Sequence, residues 1–444
     1  MSALFLGVDL GSSGLRLAVL AEAGAPGGQP DATLLSRQSP YPGHLEEPGA
    51  WRQGLIELLA TVPEDIRRRV GAIAIDGTSG TLLACRADGS LLPPPLELAL
   101  PYHLACPEQA DSITALLGQA PGDSAPHPAA SASGSLARAL RLLALAREAG
   151  LGRGLLLRHQ ADWLMGWLLD DWRWGEEGNN VRLGWDLQQG DWLAGVAPGL
   201  GVETLPRIRS SGSLLGPLAP AAAAFLGLPG DCQVVAGSTD ANAAVLAADP
   251  QAGDGIAVLG TTLVLKQFVA APLAGVGLSN HRVAGRWLAG GASNAGAGVL
   301  RRFFDDERIA ELSRQIAPDR PTGLHLLPLS RKGERFPVDD PELEPILEPR
   351  PVSDARYLQA LLEGLTAIEA TGWQRLRQLG APALQRVISV GGGARNSQWR
   401  ALRSRALGIP VLNRPKRTAA LGMALLARAS FRMEIESPSP PLRP

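Results

Sequence analysis

The stretch Val8-Asp-Leu-Gly-Ser-Ser-Gly-Leu15 is echoed by Ala257-Val-Leu-Gly-Thr-Thr-Leu-Val264 in the other half of the chain. Each is an apolar run of strand character, a turn of Leu-Gly and two hydroxyl residues, and a second apolar run. The economical reading is two related half-proteins, each built on a β-hairpin. The length of 444 residues agrees, because domains usually run to about 100–200 residues. Strand and helix patterns alternate elsewhere, so the chain reads as an α/β protein. Residues 70–75, 81–85, 232–236, 256–269, 287–291, 386–390 and 409–411 read as strands. Residues 51–59, 136–147, 160–169, 357–379, 397–407 and 419–427 read as helices, with apolar residues at i, i+3 and i+4. A helix is expected to start at Asp240, and another to run through Phe303 and Phe304. Residues 24–31, rich in Gly and Pro, read as a loop. The Pro- and Ser-rich residues 437–444 read as a disordered tail.

The turn chemistry suggests a ligand. A tight turn of glycine and hydroxyl residues exposes backbone N–H groups and side-chain donors that suit phosphate oxygens. Gly11, Ser12 and Ser13 supply the first such turn, and Gly260, Thr261 and Thr262 the second. No Gly-Lys-Ser/Thr follows either, so neither is a Walker A loop. The halves differ at one position: Asp9 precedes the first Leu-Gly and Val258 the second. One carboxylate beside two phosphate-holding turns suits a single Mg²⁺, which takes one or two carboxylates plus phosphate oxygens and waters. The plainer alternative is a pair of hairpins whose hydroxyls cap their own turns.

Three further motifs follow strand-like runs. In Ala236-Gly-Ser-Thr-Asp-Ala-Asn242, Asp240 falls at a helix start. There it is either a first-turn acid or a general base at the carboxyl end of a strand, where α/β folds collect ligand chemistry. In Ser389-Val-Gly-Gly-Gly-Ala-Arg-Asn-Ser-Gln-Trp399, three glycines let a flat ring or ribose lie on the backbone. Asn396 and Trp399, one helical turn apart, are available to a purine; alternatively Trp399 belongs to the core. In Asp76-Gly-Thr-Ser-Gly80, Thr78 and Ser79 offer hydroxyls to a polyol or simply form a hairpin turn.

Composition narrows the function classes. The formal net charge of −1 carries no nucleic-acid footprint. Cys85, Cys106 and Cys232 are far apart and lack CxxC spacing, which argues for reduced thiols in a cytoplasmic protein and against a zinc site. The six His are scattered. No basic leader and no long uncharged apolar run suggests a signal peptide or a membrane span.

The order of the motifs is more specific than any one of them. With Ala74-Ile-Asp-Gly-Thr-Ser-Gly-Thr81, Gln160-Ala-Asp-Trp-Leu164, Trp287-Leu-Ala-Gly-Gly-Ala-Ser-Asn294, Gly333-Glu-Arg-Phe-Pro337 and Gly391-Gly-Gly-Ala-Arg-Asn396, the chain resembles the FGGY family of carbohydrate kinases over residues 4–428. In detail it is most similar to the D-ribulose kinases of cyanobacteria and plants within that family. The resemblance implies two actin-like (ribonuclease-H-like) domains with a cleft between them. It divides the chain into residues 1–246 joined by 418–434, residues 247–417, and a tail from 435. It implies ATP and Mg²⁺, and phosphorylation of a ketopentose, D-ribulose to D-ribulose 5-phosphate. Asp9 matches the acid that serves Mg²⁺ and the transferred phosphate, and Asp240 the catalytic base. Ser79 matches a sugar contact. Gly11, Ser12, Ser13, Gly260, Thr261 and Thr262 match the phosphate turns. Gly392, Gly393, Asn396 and Trp399 match the site of the nucleotide base.

This sequence also departs from the family pattern. Gly77-Thr-Ser-Gly80 stands where xylulose kinases carry Gln-Met-His-Gly, and their Trp-x-Asp-x-Arg segment is missing. Ala241 replaces a Ser that follows the base in the ribulose kinases. Thr418 replaces a Glu that opens the last helix, which weakens a cap. Two rivals remain: a kinase for xylulose or another polyol, and an actin-like ATPase that phosphorylates nothing. Asp240 and the 76–80 turn discriminate against the latter, since a pure ATPase has no use for a sugar-facing base.

Overall fold

The computed structural model describes residues 3–22, 33–118 and 127–436. The chain divides into two compact units. One is Met1–Ala247 with Arg282–Gly285 and Thr418–Pro444; the other is Ala248–His281 with Arg286–Arg417.

In the first unit, β1 (Leu4–Gly11) turns through Ser12 and Ser13 into antiparallel β2 (Gly14–Ala21), which pairs with antiparallel β3 (Thr33–Ser39). On its other side β1 is parallel to β4 (Val70–Gly77), and β4 is parallel to β5 (Gln233–Thr239). The strand order is thus β3-β2-β1-β4-β5, with Leu214–Pro217 on the far edge. Every residue of β1 is buried. A strand covered on both faces needs a continuous apolar run rather than alternation, which is why Leu4–Val8 is so uniformly apolar. One face of the sheet carries α1 (Gln160–Leu169), whose Trp163, Leu164 and Leu168 join Trp51, Leu55 and Leu58 in the core. On the other face the helix Ala419–Glu436 packs against β1, β4 and α2 (Asp240–Ala247). That approach is close. A Cβ on Gly7 would stand 1.9 Å from the Ala420 carbonyl oxygen and 2.3 Å from the Ala424 amide nitrogen. Between β4 and β5 the chain builds an accessory layer in which Leu82–Arg86 and Leu155–His159 pair antiparallel. Its separate core includes Leu82, Leu136, Leu142 and Leu157.

The second unit repeats the plan. Strands β6 (Asp254–Leu259) and β7 (Leu263–Val269) form the hairpin, and β8 (Arg286–Ala292) pairs antiparallel with β7. Strand β9 (Arg386–Val390) is parallel to β6, and β10 (Val411–Asn413) is parallel to β9. The order β8-β7-β6-β9-β10 matches that of the first unit in sequence and direction. The short echo at residues 8 and 257 therefore marks a duplicated topology, that of two actin-like domains. Helices α3 (Asp306–Ser313), α4 (Asp354–Gln378) and α5 (Ser397–Leu407) complete this unit. Tyr357, Leu361, Leu365, Trp373 and Leu402 lie in its core.

Several elements differ from the sequence expectation. Phe303 and Phe304 are not helical: a 3₁₀ turn, Ala297–Arg302, ends before them. The next helix, α3, begins only after Asp305, whose side chain accepts from the Arg308 N–H. The edge strand β3 went unread because its residues are largely exposed and lack an apolar period. The last helix continues to Glu436, past the expected end at 427 and past the start of the expected tail. Residues 437–444 and the loop at 24–31 lie outside the described residues. Strand β10 sits two residues later than expected. The Thr418 hydroxyl accepts from the Leu421 N–H at 3.4 Å, a long bond that agrees with a weakened cap.

Because the atoms facing Gly7 are backbone, they cannot rotate away. Gly7→Ala should lower unfolding free energy by at least about 1–3 kcal/mol, the usual cost of overpacking; chemical denaturation measures it.

Candidate active site

The acids of the first unit gather at the carboxyl ends of its parallel strands. Asp9 and Asp76 are cross-strand partners in the β1–β4 register. Asp240 opens α2 directly after β5. Asp9 is 5% exposed and Asp76 fully buried. Arg16, opposite Asp9 across the hairpin, donates to its Oδ2 at 3.0 Å. Neither oxygen of Asp76 accepts an N–H or O–H from the described residues. The Asp9 carboxyl lies within its hydrogen-bond reach, and Asp76 feels both the Asp9 and Asp240 charges. Burial, then the Asp9 charge, then the Asp240 charge raise the Asp76 pKa well above the ordinary carboxyl range, against a smaller opposing pull from Arg16. Asp240 is half-buried, and its Oδ1 accepts from the Ala241 N–H at 2.7 Å. Asp240 is thus a first-turn acid, and its charge reaches Asp76.

Hydrogen bonds tie the 76–80 turn to the first hairpin. The Thr78 N–H and hydroxyl both donate to Gln160 Oε1, at 3.0 and 2.8 Å. Gln160 Nε2 donates to the Tyr41 hydroxyl at 3.3 Å, and that hydroxyl donates to the Gly11 carbonyl at 2.9 Å. Burial, with the Asp9 and Asp76 charges, raises the Tyr41 pKa despite the Gln160 bond, so the phenol stays a donor. Thr78 is thereby committed inward. Ser79 is half-buried and is the hydroxyl of the pair left for a ligand. Ser12 and Ser13 are exposed at the hairpin tip, beyond Gly11.

In the second unit, Gly260, Thr261, Gly392, Gly393, Asn396 and Trp399 line one pocket of about 660 Å³. Residues expected to hold phosphate and residues expected to hold a base thus share a cavity. Thr262 is not among its lining residues; its carbonyl accepts from the Gly260 N–H and closes the turn. The Ala297 and Gly298 N–H groups donate to the Gly260 and Thr261 carbonyls at 3.0 and 3.2 Å. That brace is itself anchored: Glu334 accepts from the Ser293 hydroxyl and the Asn294 N–H, and Asn294 Nδ2 donates to the Gly333 carbonyl. The 287–294 and 333–337 motifs are therefore two halves of one lock beneath the hairpin. On the other wall, Gly391 adopts φ +88°, and a Cβ there would meet the Leu259 carbonyl at 2.9 Å, so the turn demands glycine.

Asn396 and Trp399 differ from the simplest expectation. The Asn396 carbonyl caps α5, accepting from Gln398 and Trp399 N–H groups at 3.0 Å, while its amide donates to Ser313. Trp399 is 2% exposed and donates through Nε1 to Thr366. Its ring belongs to the core, and only its edge contributes to the pocket wall. Behind the turn, buried Arg403 grips Glu369 through two nitrogens and donates to the Ser389 hydroxyl, fixing α5 to α4 and β9. Arg301, Arg314 and Arg395 also line the pocket, an electropositive wall suited to phosphate. Arg301 is held by Asp306 through bonds of 2.9 and 3.0 Å.

Arg16, Tyr41 and Ser313 went unread in the sequence, and Asp76 and Gln160 stood in quoted motifs without a role of their own. Arg16 was readable, since a two-residue turn places residue 16 opposite residue 9. Asp305 ahead of Asp306-Glu307 is a helix-start signal that would have found α3 and Ser313. Hard oxygen donors fit Mg²⁺: Asp9 and the unbonded Asp76 oxygens are the side chains suited to hold it. No group of three or more His, Cys, Asp or Glu among the described residues is placed to bind a metal. No described helix is long and apolar enough to cross a membrane, and all three cysteines are free and buried.

Comparison with known proteins defines first the class, two actin-like domains. The chain superposes on a xylulose kinase from Rhodospirillum rubrum with a TM-score of 0.77 at 19% identity, covering 96% of this chain and 90% of that one. With the ADP complex of Plasmodium falciparum glycerol kinase the TM-score is 0.76 at 16% identity, covering 97% and 90%. Residues 252–431 match the FGGY family of carbohydrate kinases, C-terminal domain. L-fuculokinase of Escherichia coli (strain K12) is 26% identical over 250 residues, 51% of this chain and 50% of the relative. The chain thus spans about half the length of the sequence relatives it matches.

The folded state keeps Asp76 protonated to a higher pH than the unfolded chain does. Its contribution to stability is full below the ordinary value of 3.8 and is lost as pH rises through the raised folded value. Asp76→Asn, which mimics the protonated acid, should therefore raise unfolding free energy at pH 7–8. The gain should shrink toward pH 4; denaturation midpoints across that range measure it.

Proposed function

We propose that this chain is an ATP-dependent sugar kinase, with a ketopentose as acceptor and D-ribulose the preferred one. The observation that carries the reading is the cross-strand pairing of Asp9 with Asp76 next to the Ser79 turn and within reach of the Asp240 charge, in a unit whose strand order is repeated around the 660 Å³ pocket of the second. Acids at the carboxyl ends of parallel strands are where α/β folds place ligand chemistry. Asp240 takes the proton from the terminal hydroxyl of the sugar, which attacks the γ-phosphate. Ser79 orients the sugar. Arg16 holds Asp9 in place. Gly260 and Thr261 cradle phosphate oxygens, and Gly392, Gly393 and Asn396 take the nucleoside. Asp9 would hold a divalent cation, which when bound would neutralise charge on the transferring group, as in phosphoryl transfer generally. Asp240 needs no raised pKa, because in a loose transition state the hydroxyl proton leaves late.

The second reading is a kinase for another polyol. It is favoured by the names of the relatives, which include L-fuculokinase, xylulose kinase and glycerol kinase. The small Gly77-Thr-Ser-Gly80 turn supports ribulose over longer or differently contacted sugars.

A coupled ADP-release assay across pentuloses and polyols, with NMR of the product, decides between these readings. Asp240→Ala should cost at least ~10²–10⁴-fold in turnover, the range for a lost general base, while ADP still binds. Turnover within tenfold of the wild type would remove Asp240 from the mechanism. ADP release that ignores every sugar would point to an ATPase.

A further inference from the structure

We propose that Asp76 is the second carboxylate, beside Asp9, of the divalent-cation site in the first unit. The inference rests on the phosphoryl-transfer reading above for the need for a cation, and on geometry for its place. Asp76 is fully buried, and both its oxygens lack a donor among the described residues. Buried polar atoms are paired in the great majority of cases, and an unpaired carboxylate is among the most costly groups to bury. The two oxygens sit against Asp9, the expected cation ligand, through the cross-strand register that pairs the residues directly. Arg16 bonds to Asp9 Oδ2 and not to Asp76. The carboxylate least served by protein donors is therefore the one next to the site.

A structural explanation for Asp76 fails on packing grounds. A buried acid kept for stability normally accepts two or three bonds, as Glu334 does from Ser293, Asn294 and Arg335. Glu176 likewise accepts from the Gly178 and Asn179 N–H groups at 2.8 Å. Asp76 has none. Two protein carboxylates also suit the expected ion, since Mg²⁺ usually takes one or two and fills its shell with water and phosphate oxygens.

The test is Mn²⁺ binding to the full chain with ADP present, followed by electron paramagnetic resonance, and needs no turnover. Asp76→Asn should weaken Mn²⁺ at least about tenfold, the lower bound for disturbing a metal's ligand shell, and leave ADP affinity without metal unchanged. Asp9→Asn should weaken Mn²⁺ similarly. Equal Mn²⁺ affinity in wild type and Asp76→Asn would overturn the assignment, as would wild-type binding so weak that neither substitution changes it. If Asp76→Asn does not fold, the wild type crystallised with Mn²⁺ and ADP decides. An anomalous peak within about 2.5 Å of an Asp76 oxygen, the reach of a carboxylate–cation bond, supports the proposal. A peak on Asp9 with Asp76 beyond that reach, or no peak at Asp9, overturns it. A chain that phosphorylates no sugar yet binds Mn²⁺ through Asp76 would sink the kinase reading alone. An active kinase whose Mn²⁺ affinity ignores Asp76 would sink this inference alone.

Discussion

Two carboxyl groups on neighbouring parallel strands cannot be buried side by side and both stay charged without a counter-ion. The pairing of Asp9 with Asp76 imposes that constraint on the first unit. Much of the surrounding sequence answers it: Arg16 reaches Asp9 across the hairpin, and burial with the neighbouring acids raises the Asp76 pKa. Tyr41 and Gln160 run hydrogen bonds past the pair from Gly11 to Thr78. The sheet makes the constraint unavoidable. Because β1 has an antiparallel neighbour on one side and a parallel one on the other, its last residues face a hairpin turn and a second strand end together.

The second unit uses the same strand order with the acid removed. Val258 stands where Asp9 stands, and its strand also ends in a hydroxyl turn. Without a charge to manage, the support there is backbone bracing. Ala297 and Gly298 N–H groups hold the turn carbonyls, and Glu334 holds the brace. The buried Glu369–Arg403 pair does the corresponding work behind Gly391. Burying such a pair gains little net stability over an apolar substitute, but it fixes where α5 begins and so where the glycine turn faces its pocket.

Much of the architecture was legible. Helix α1 and strand β9 follow the sequence patterns to the residue, and the echo at 8 and 257 pointed to the duplicated strand order. Illegible parts share a cause. The edge strand β3 is exposed and without period. Helix α3 was hidden because Phe303 and Phe304 invited a helix that does not form: the 3₁₀ turn ends before them and α3 starts only at Asp306. At the site, Gly260, Thr261, Gly392 and Gly393 line one pocket with Trp399. An aromatic at a helix start serves a purine or a core equally well in sequence, and here Trp399 is buried in the core and bonded to the Thr366 hydroxyl.

By itself the sequence determined local conformation and chemistry: a hairpin wherever Leu-Gly and two hydroxyl residues separate apolar runs, a helix start at Asp240, a glycine turn after β9. These depend on neighbours in the chain, whose geometry is set by backbone sterics and hydrogen bonding. Only the tertiary structure decided which acids meet. Asp9, Asp76 and Asp240 are separated by 66 and 163 intervening residues (76 − 9 − 1 and 240 − 76 − 1). Their proximity comes from strand order and register, which parallel pairing across long connections leaves unwritten in any local stretch of the chain.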